Sequence, residues 1–273
     1  MTSLRFAVCN EIFAGWDLAK TAAAVRRAGY QGLELAPFTL AEDPASLPAA
    51  SRQRARRILE QEGLEFAGLH WLLASPPGLH VTAPDAELRR KSWDYLRRII
   101  DLCADLGGGV LVFGSPRQRS ATGGLSPQEA TAHLVDGLAE TAPYAAERGC
   151  CLLIEALSPD QTDVVTSLEE AAAIVRQVNH PGLATLFDTH NAVAEREPHA
   201  ALVEKYFDLI RHVHLNEMDG GAPGTGGYDF HPVLETLRRL GFRGWVSLEI
   251  FGKWEDPEGL TARSLRYLRQ LAG

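Results

Sequence analysis

Short apolar runs alternate with longer stretches of helical period along the whole chain. The runs cover residues 4–10, 32–37, 65–73, 109–114, 150–157, 184–188, 210–215 and 245–251, and each has the length of a buried strand. Amphipathic stretches follow them at residues 16–29, 52–63, 85–106, 126–149, 167–180, 199–208, 230–241 and 260–272. Local chemistry agrees with these boundaries. Ser126-Pro127-Gln128-Glu129 combines an N-cap, a first-turn proline and a capping-box glutamate, and Ser167-Leu168-Glu169-Glu170 repeats the box. Gly29, Gly63, Gly107, Gly149 and Gly241 each close a helical stretch ahead of the next run, where a left-handed residue is wanted.

Strands alternating with helices predict βαβ units and a parallel sheet. Eight units without a composition break or a linker fit a closed (β/α)8 barrel, a TIM barrel forming a single domain over residues 1–273. Each unit then has roughly 34 residues, the size of one crossover. An open doubly wound sheet would carry a glycine-rich phosphate turn after its first strand, and Asn10-Glu11-Ile12-Phe13-Ala14-Gly15 is not one.

Composition narrows the function classes. Apolar residues make up 45% of the chain, enough for one large core. With 27 basic and 35 acidic side chains the formal charge is −8, which argues against a nucleic-acid partner. No run reaches about 18 apolar residues, so no membrane span is expected. The N-terminal residues show no secretory signal, and Cys9, Cys103, Cys150 and Cys151 match neither a disulfide framework nor a paired zinc motif. Reduced thiols in a cytoplasmic protein are the expectation.

In a barrel, chemistry collects where strands end, because the βα loops share one mouth there. Run five ends in LLIEAL with Glu155, and run six in LFDTHN with Asp188, His190 and Asn191. Run seven reads HVHLNE with His212, His214, Asn216 and Glu217, and run eight SLEIF with Glu249. One such residue would be an ordinary solvated strand end. Burying a carboxylate among apolar neighbours without a charged partner costs several kcal/mol, so charged or imidazole groups on four consecutive strands call for a shared partner. Three carboxylates and one imidazole suit a divalent cation, Mn²⁺ first, with Mg²⁺, Co²⁺ and Zn²⁺ as alternatives. Alternation puts residues 212, 214 and 216 on one face, making His214 the ligand and His212, one layer deeper, either a core residue or a support behind the ligands.

These strand ends resemble those of the xylose isomerase-like sugar isomerase and epimerase superfamily, which includes ketose 3-epimerases. The resemblance spans essentially the whole chain and is strongest from Gly149 onward. It implies that Glu155 in IEAL, Asp188 in FDTHN, His214 in HVHLNE and Glu249 in SLEIF bind one metal ion. The sequence after strand seven, His214-Leu215-Asn216-Glu217 followed by Pro223-Gly224-Thr225-Gly226 and Asp229-Phe230, is similar to the family's H-x-x-E and P-G-x-G pattern. Asp229 is read as the cap of the next helix and His231 as a first-turn residue.

The departures are as informative. The family's histidine three residues after the strand-six aspartate is Asn191 here, with His190 one place earlier. Its carboxylate six residues after the strand-five glutamate is Gln161, and its arginine three residues after H-x-x-E is Gly220. The metal centre therefore carries over while ketose specificity does not. The resemblance implies proton transfer next to a carbonyl through a metal-stabilised enediolate, with Glu155 and Glu249 as the two catalytic carboxylates. Returning the proton to the same or the neighbouring carbon makes an epimerase or an aldose–ketose isomerase. Expelling a β-hydroxyl makes a dehydratase acting on an inosose or keto-cyclitol. An endonuclease IV-like nuclease is a remote alternative, disfavoured by the charge and by the absence of an imidazole in Val112-Phe113-Gly114-Ser115-Pro116. Candidate contacts to a carbohydrate or polyol substrate are His70, Trp71, Gln161, His190, Asn191 and Glu217. Trp16, Phe38, Phe113 and Phe251 are aromatic candidates for walls or loop packing, while Glu11 and Glu34 lie near strands one and two without a motif. Relatives of this kind are often homodimers or homotetramers.

Overall fold

A computed structural model of the chain describes residues 3–273. Its strands are β1 (Arg5–Cys9), β2 (Gly32–Leu35), β3 (Glu65–Leu69), β4 (Gly109–Phe113), β5 (Cys150–Ile154), β6 (Leu183–Asp188), β7 (Ile210–Leu215) and β8 (Trp245–Leu248). Each pairs in parallel with its neighbours in sequence, and β8 pairs with β1 to close the barrel. Around it run α1 (Leu18–Ala28), α2 (Ala49–Glu62), α3 (Ala86–Leu106), α4 (Pro127–Glu147), α5 (Leu168–Val178), α6 (His199–Lys205), α7 (His231–Arg239) and α8 (Pro257–Ala272). The chain is a TIM barrel, as the alternation of runs predicts.

Several strands stop before their apolar runs do. Ala36, Leu72, Leu73, Leu157 and Ile250 are buried yet lie beyond the last paired residue, because the loops fold back over the barrel and cover them. In α8 the helix starts three residues before the expected position, at Pro257, where the Asp256 side chain accepts from the Gly259 amide at 2.8 Å.

The strand alternation separates two cores. Outward residues such as Val8, Leu35, Leu111, Ile154, Val213 and Leu248 pack with helix residues such as Val25, Ile99, Leu138 and Leu268 in one continuous layer. Inward residues form smaller apolar groups, Val112, Leu153, Ala184 and Leu186 in one and Ala7, Ala67 and Trp245 in another. Arg5 lies 3.7 Å over the Trp245 ring at the N-terminal end of the barrel. Two residues further along the same inward rows come Glu155 after Leu153, Asp188 after Leu186, and Glu249 after Ser247. The interior changes from apolar to polar along the axis. Among the described residues no helix is long and apolar enough to cross a membrane.

The first capping box forms as expected: Ser126 Oγ accepts from the Glu129 amide at 3.3 Å, and Glu129 accepts from the Ser126 amide at 2.8 Å. The second is displaced. Ser167 Oγ accepts from the Glu170 amide, but Glu170 reaches the amide and hydroxyl of Thr166, which offers two donors, instead of the Ser167 amide. Replacing Ser126 by Ala is expected to lower the unfolding free energy by about 1 kcal/mol. In urea this appears as a lower midpoint with an unchanged slope, and an unchanged midpoint would show that the box contributes nothing.

Candidate metal centre

The four strand-end residues meet at the mouth. Register pairs Asp188 with His214 and His214 with Ser247, so Glu249 rises one step above that level on β8. His214 Nδ1 faces Glu249 Oε2 at 3.3 Å, Asp188 Oδ2 at 3.6 Å and Glu155 Oε1 at 3.9 Å. One donor atom from each of the four lies within 4.8 Å of the others. All four side chains are buried. Gly114 at the end of β4 makes room for this cluster, since a Cβ there would collide with Glu155 Oε2.

The residues fit a divalent ion on their own geometry. Ligand atoms sharing one ion at about 2.0–2.2 Å are themselves roughly 3–4 Å apart, as the three carboxylate oxygens are from His214 Nδ1. His214 Nδ1 is buried and has no hydrogen-bond partner, and it points at three oxygens that repel one another without a cation between them. Burial pushes the Glu155 carboxyl up to about 8, with the Glu249 and Asp188 charges adding to the shift. Burial also lifts Asp188 to about 6, again reinforced by Glu249. Burial acts the same way on Glu249 and is the largest single effect, but the charge and hydrogen bond of His214 together with the His70 charge hold this carboxyl below the usual range.

One layer deeper lies a residue with no sequence motif. Glu34 of β2 is fully buried, accepting from His212 Nε2 at 2.9 Å and facing His214 Nε2 at 3.1 Å. Burial opposes its charge, yet the two imidazoles hold it well below the carboxylate range. His212 thus sits below His214, as its place in the alternation predicts. His70 lies alongside: Nε2 meets Glu11 Oε2 at 2.6 Å and Nδ1 lies 3.6 Å from Glu34. Cys9 Sγ is 3.9 Å from His214 Nε2, and burial raises its thiol to about 12, so it stays neutral.

The expected substrate contacts divide. His70, Trp71, Gln161 and Asn191 line a narrow cleft together with Glu155, Glu249 and Phe251. Trp71 holds a left-handed backbone, φ 55°, a strained state for a bulky side chain that persists only where the surroundings fix it. Gln161 Nε2 donates to Asn191 Oδ1 at 2.7 Å, and Asn191 Nδ2 donates to Glu155 Oε1 at 3.2 Å. Two neutral amides therefore stand where the family resemblance has a carboxylate and an imidazole. His190 Nδ1 donates to the Met218 carbonyl at 2.7 Å, and its ring packs 5.6 Å from that of Phe251. Glu217 departs from its expected role. Its oxygens accept from the Gly224 and Tyr228 amides at 2.8 and 3.0 Å, so it ties down the glycine-rich loop and has no free oxygen turned to the cleft. Asp229 accepts from the His231 amide at the start of α7, as expected of a cap.

Two further features escaped the sequence reading. At Gly220, φ 81°, a Cβ would lie 2.5 Å from the Phe251 ring, so the ring would have to shift to admit a side chain where the family resemblance has an arginine. Arg119, just past β4, is completely buried, and its three guanidinium nitrogens have no acceptor. Burial lowers it to about 10, and the nearby charge is that of Glu155. A lone Arg in a loop gives no sequence signal of this kind.

A family model for the xylose isomerase-like TIM barrel matches residues 22–271. L-ribulose 3-epimerase of Methylomonas sp. (strain DH-1) is 25% identical over 268 residues, covering 92% of this chain and 90% of its own. A putative hydroxypyruvate isomerase of Streptomyces coelicolor (strain ATCC BAA-471 / A3(2) / M145) is 27% identical over 272 residues, with 94% and 92% covered. The crystal structure of D-allulose 3-epimerase from Methylomonas sp. in complex with D-allulose superimposes with a TM-score of 0.84 at 24% identity, covering 99% of this chain and 98% of that one.

The carboxyl shifts set a pH dependence for chelator-treated protein. Folded Glu155 keeps its proton up to about 8, whereas the unfolded chain releases it near 4.5, so the folded state binds more protons between those values and stability falls as pH rises. Asp188 adds to this fall up to about 6. Thermal unfolding in EDTA should therefore give a lower midpoint at pH 8 than at pH 5.5. Because an ion must displace these protons, Mn²⁺ affinity should rise over the same window. A midpoint that is flat or rises with pH would contradict the shifts.

Proposed function

The chain belongs to the xylose isomerase-like TIM-barrel family, and from that premise we propose that it is a divalent-metal-dependent sugar isomerase or epimerase. Glu155, Asp188, His214 and Glu249 are the proposed ligands. The observation that carries this reading is the convergence of three buried carboxylate oxygens on one unpartnered imidazole nitrogen at the barrel mouth. Relatives named as a 3-epimerase and as an isomerase support the reaction class. Mn²⁺ suits a set of three hard oxygens and one borderline nitrogen. All four cysteines are free thiols, in keeping with a cytoplasmic enzyme.

When bound, the ion would supply Lewis acidity toward adjacent carbonyl and hydroxyl oxygens, easing loss of the proton on the carbon between them. The chain's own groups handle that proton. Glu155 and Glu249 reach the cleft from β5 and β8, three strands apart around the barrel. One takes the proton and the other delivers one to the opposite face, and the roles exchange in the reverse direction. Asn191 holds one oxygen of Glu155, with Gln161 holding Asn191 in turn, so the Glu155 carboxyl is oriented before a substrate arrives. Trp71 and Phe251 wall the cleft with apolar surface suited to the carbon face of a sugar and exclude water from the carboxylates.

Glu155→Gln and Glu249→Gln are each expected to lower turnover by roughly 10²–10⁴ while sugar binding persists. Metal content is measured alongside, so that a lost ion is not mistaken for lost proton transfer. Turnover equal to wild type in both variants would sink the proposal. Incubation of the Mn²⁺-loaded protein with ketoses, inososes and keto-acids in D₂O should place deuterium next to one carbonyl, and release of the β-hydroxyl instead would mark a dehydratase. EDTA should abolish exchange and Mn²⁺ or Co²⁺ restore it; exchange that survives exhaustive chelation would overturn the metal dependence.

A further inference from the structure

Glu34 touches neither the cleft nor the ring nitrogen that faces the carboxylates, yet it is fully buried and has two imidazoles at hydrogen-bond distance, one at each oxygen, with His70 Nδ1 farther off at 3.6 Å. Its Oε1 lies 3.1 Å from His214 Nε2 and its Oε2 2.9 Å from His212 Nε2. A carboxylate held ionised in this place only accepts, so each imidazole must present a proton to it through Nε2. When His214 gives up its second proton, as a bound ion requires, that leaves the lone pair on Nδ1, the nitrogen turned toward Glu155, Asp188 and Glu249. Nδ1 of neither imidazole makes a hydrogen bond; the nearest acceptor to His214 Nδ1 is Glu249 Oε2 at 3.3 Å, farther than Glu34 Oε1 is from Nε2.

We infer that Glu34 is a positioning residue for the metal centre, fixing His214 as the Nε2–H tautomer so that Nδ1 is available to an ion. The inference rests on the ligand set proposed above. A carboxylate behind a ligating histidine fixes ring orientation and tautomer and raises ligand basicity, and losing it typically lowers metal affinity 10–100-fold. Glu34 is shared, however, and that sharing gives the arrangement its own signature. An amide at residue 34 has one acceptor oxygen for two imidazoles. In Glu34→Gln one histidine must either lose its bond or turn Nε2 into an acceptor, which for His214 places the proton on Nδ1.

The test uses the full-length chain. Mn²⁺ affinity of wild type, Glu34→Gln, His212→Phe and the double variant is measured by calorimetry, with circular dichroism and thermal unfolding in EDTA as checks on folding. Glu34→Gln should bind Mn²⁺ about 10–100-fold more weakly. His212→Phe, which removes the competing imidazole and leaves Glu34 to His214, should stay close to wild type. The double variant frees the single amide oxygen at residue 34 for His214 and should recover affinity lost in the Glu34→Gln change alone, a rescue that loss of packing alone would not produce. Nitrogen-15 NMR of histidine-labelled, metal-free protein reads the same bond without any ion, and wild type should show a proton on His214 Nε2. A folded Glu34→Gln variant with wild-type affinity, no rescue in the double variant, or an unprotonated Nε2 in wild type would overturn the inference. So would an anomalous-scattering peak between Glu34 and the two Nε2 atoms in Mn²⁺-loaded crystals. Wild type that binds no Mn²⁺ while keeping the Nε2 proton would overturn the metal reading and leave the Glu34 bond standing, which tells the two failures apart.

Discussion

Four carboxylates, Glu34, Glu155, Asp188 and Glu249, are buried together at one end of a closed barrel, and their mutual repulsion is the constraint that the site is built around. Charge of one sign in a weakly polarisable interior has to be offset locally. The offsets form two tiers. Glu34 is met by the Nε2 atoms of His212 and His214 below. The upper three converge on the opposite nitrogen of the same His214, with Asn191 and Asn216 donating to Glu155 and Asp188. His214 is therefore the wall between a saturated layer and an unsaturated one. The upper layer has protons and amide donors to hold its charge, and raised carboxyl values at Glu155 and Asp188 register how far these fall short.

The fold delivers this arrangement through strand periodicity and closure. Every second residue of β5 to β8 points inward, so one register places apolar residues at mid-barrel and charged ones a step further along. The apolar groups below keep water from reaching Glu34 and His212 from beneath, and the loops that cover the strand ends do the same from above. Glycine at position 114 lets β4 pass close to Glu155, so space for the cluster is set by the backbone.

The alternation of runs and helices made the barrel legible, along with the height at which Glu155, Asp188, His214 and Glu249 lie, because both follow from local period. Glu34 was not legible in the same way. Its partners are 178 and 180 residues away, and nothing local to GLEL says that its side chain meets them across the closed interior. Arg119 was hidden for the opposite reason: its polar character implies exposure, and only the packing of loops over β4 buries it. The motif around Glu217 points to a substrate contact, whereas the return of the loop at Gly224 and Tyr228 consumes its oxygens. Strand ends were overestimated wherever loop residues are as buried as strand residues, since hydrophobicity reports burial and not hydrogen-bond pairing.

Gly220 and Phe251 form one packing unit. The ring of Phe251 fills the volume in which a side chain at residue 220 would begin, and the two residues are joined by a backbone hydrogen bond of 3.0 Å. A side chain introduced at 220 by itself would meet the ring at 2.5 Å, and removing the ring by itself would open the cleft wall without adding a charge. The two positions are therefore energetically coupled, and a substitution at one has an effect that depends on what stands at the other.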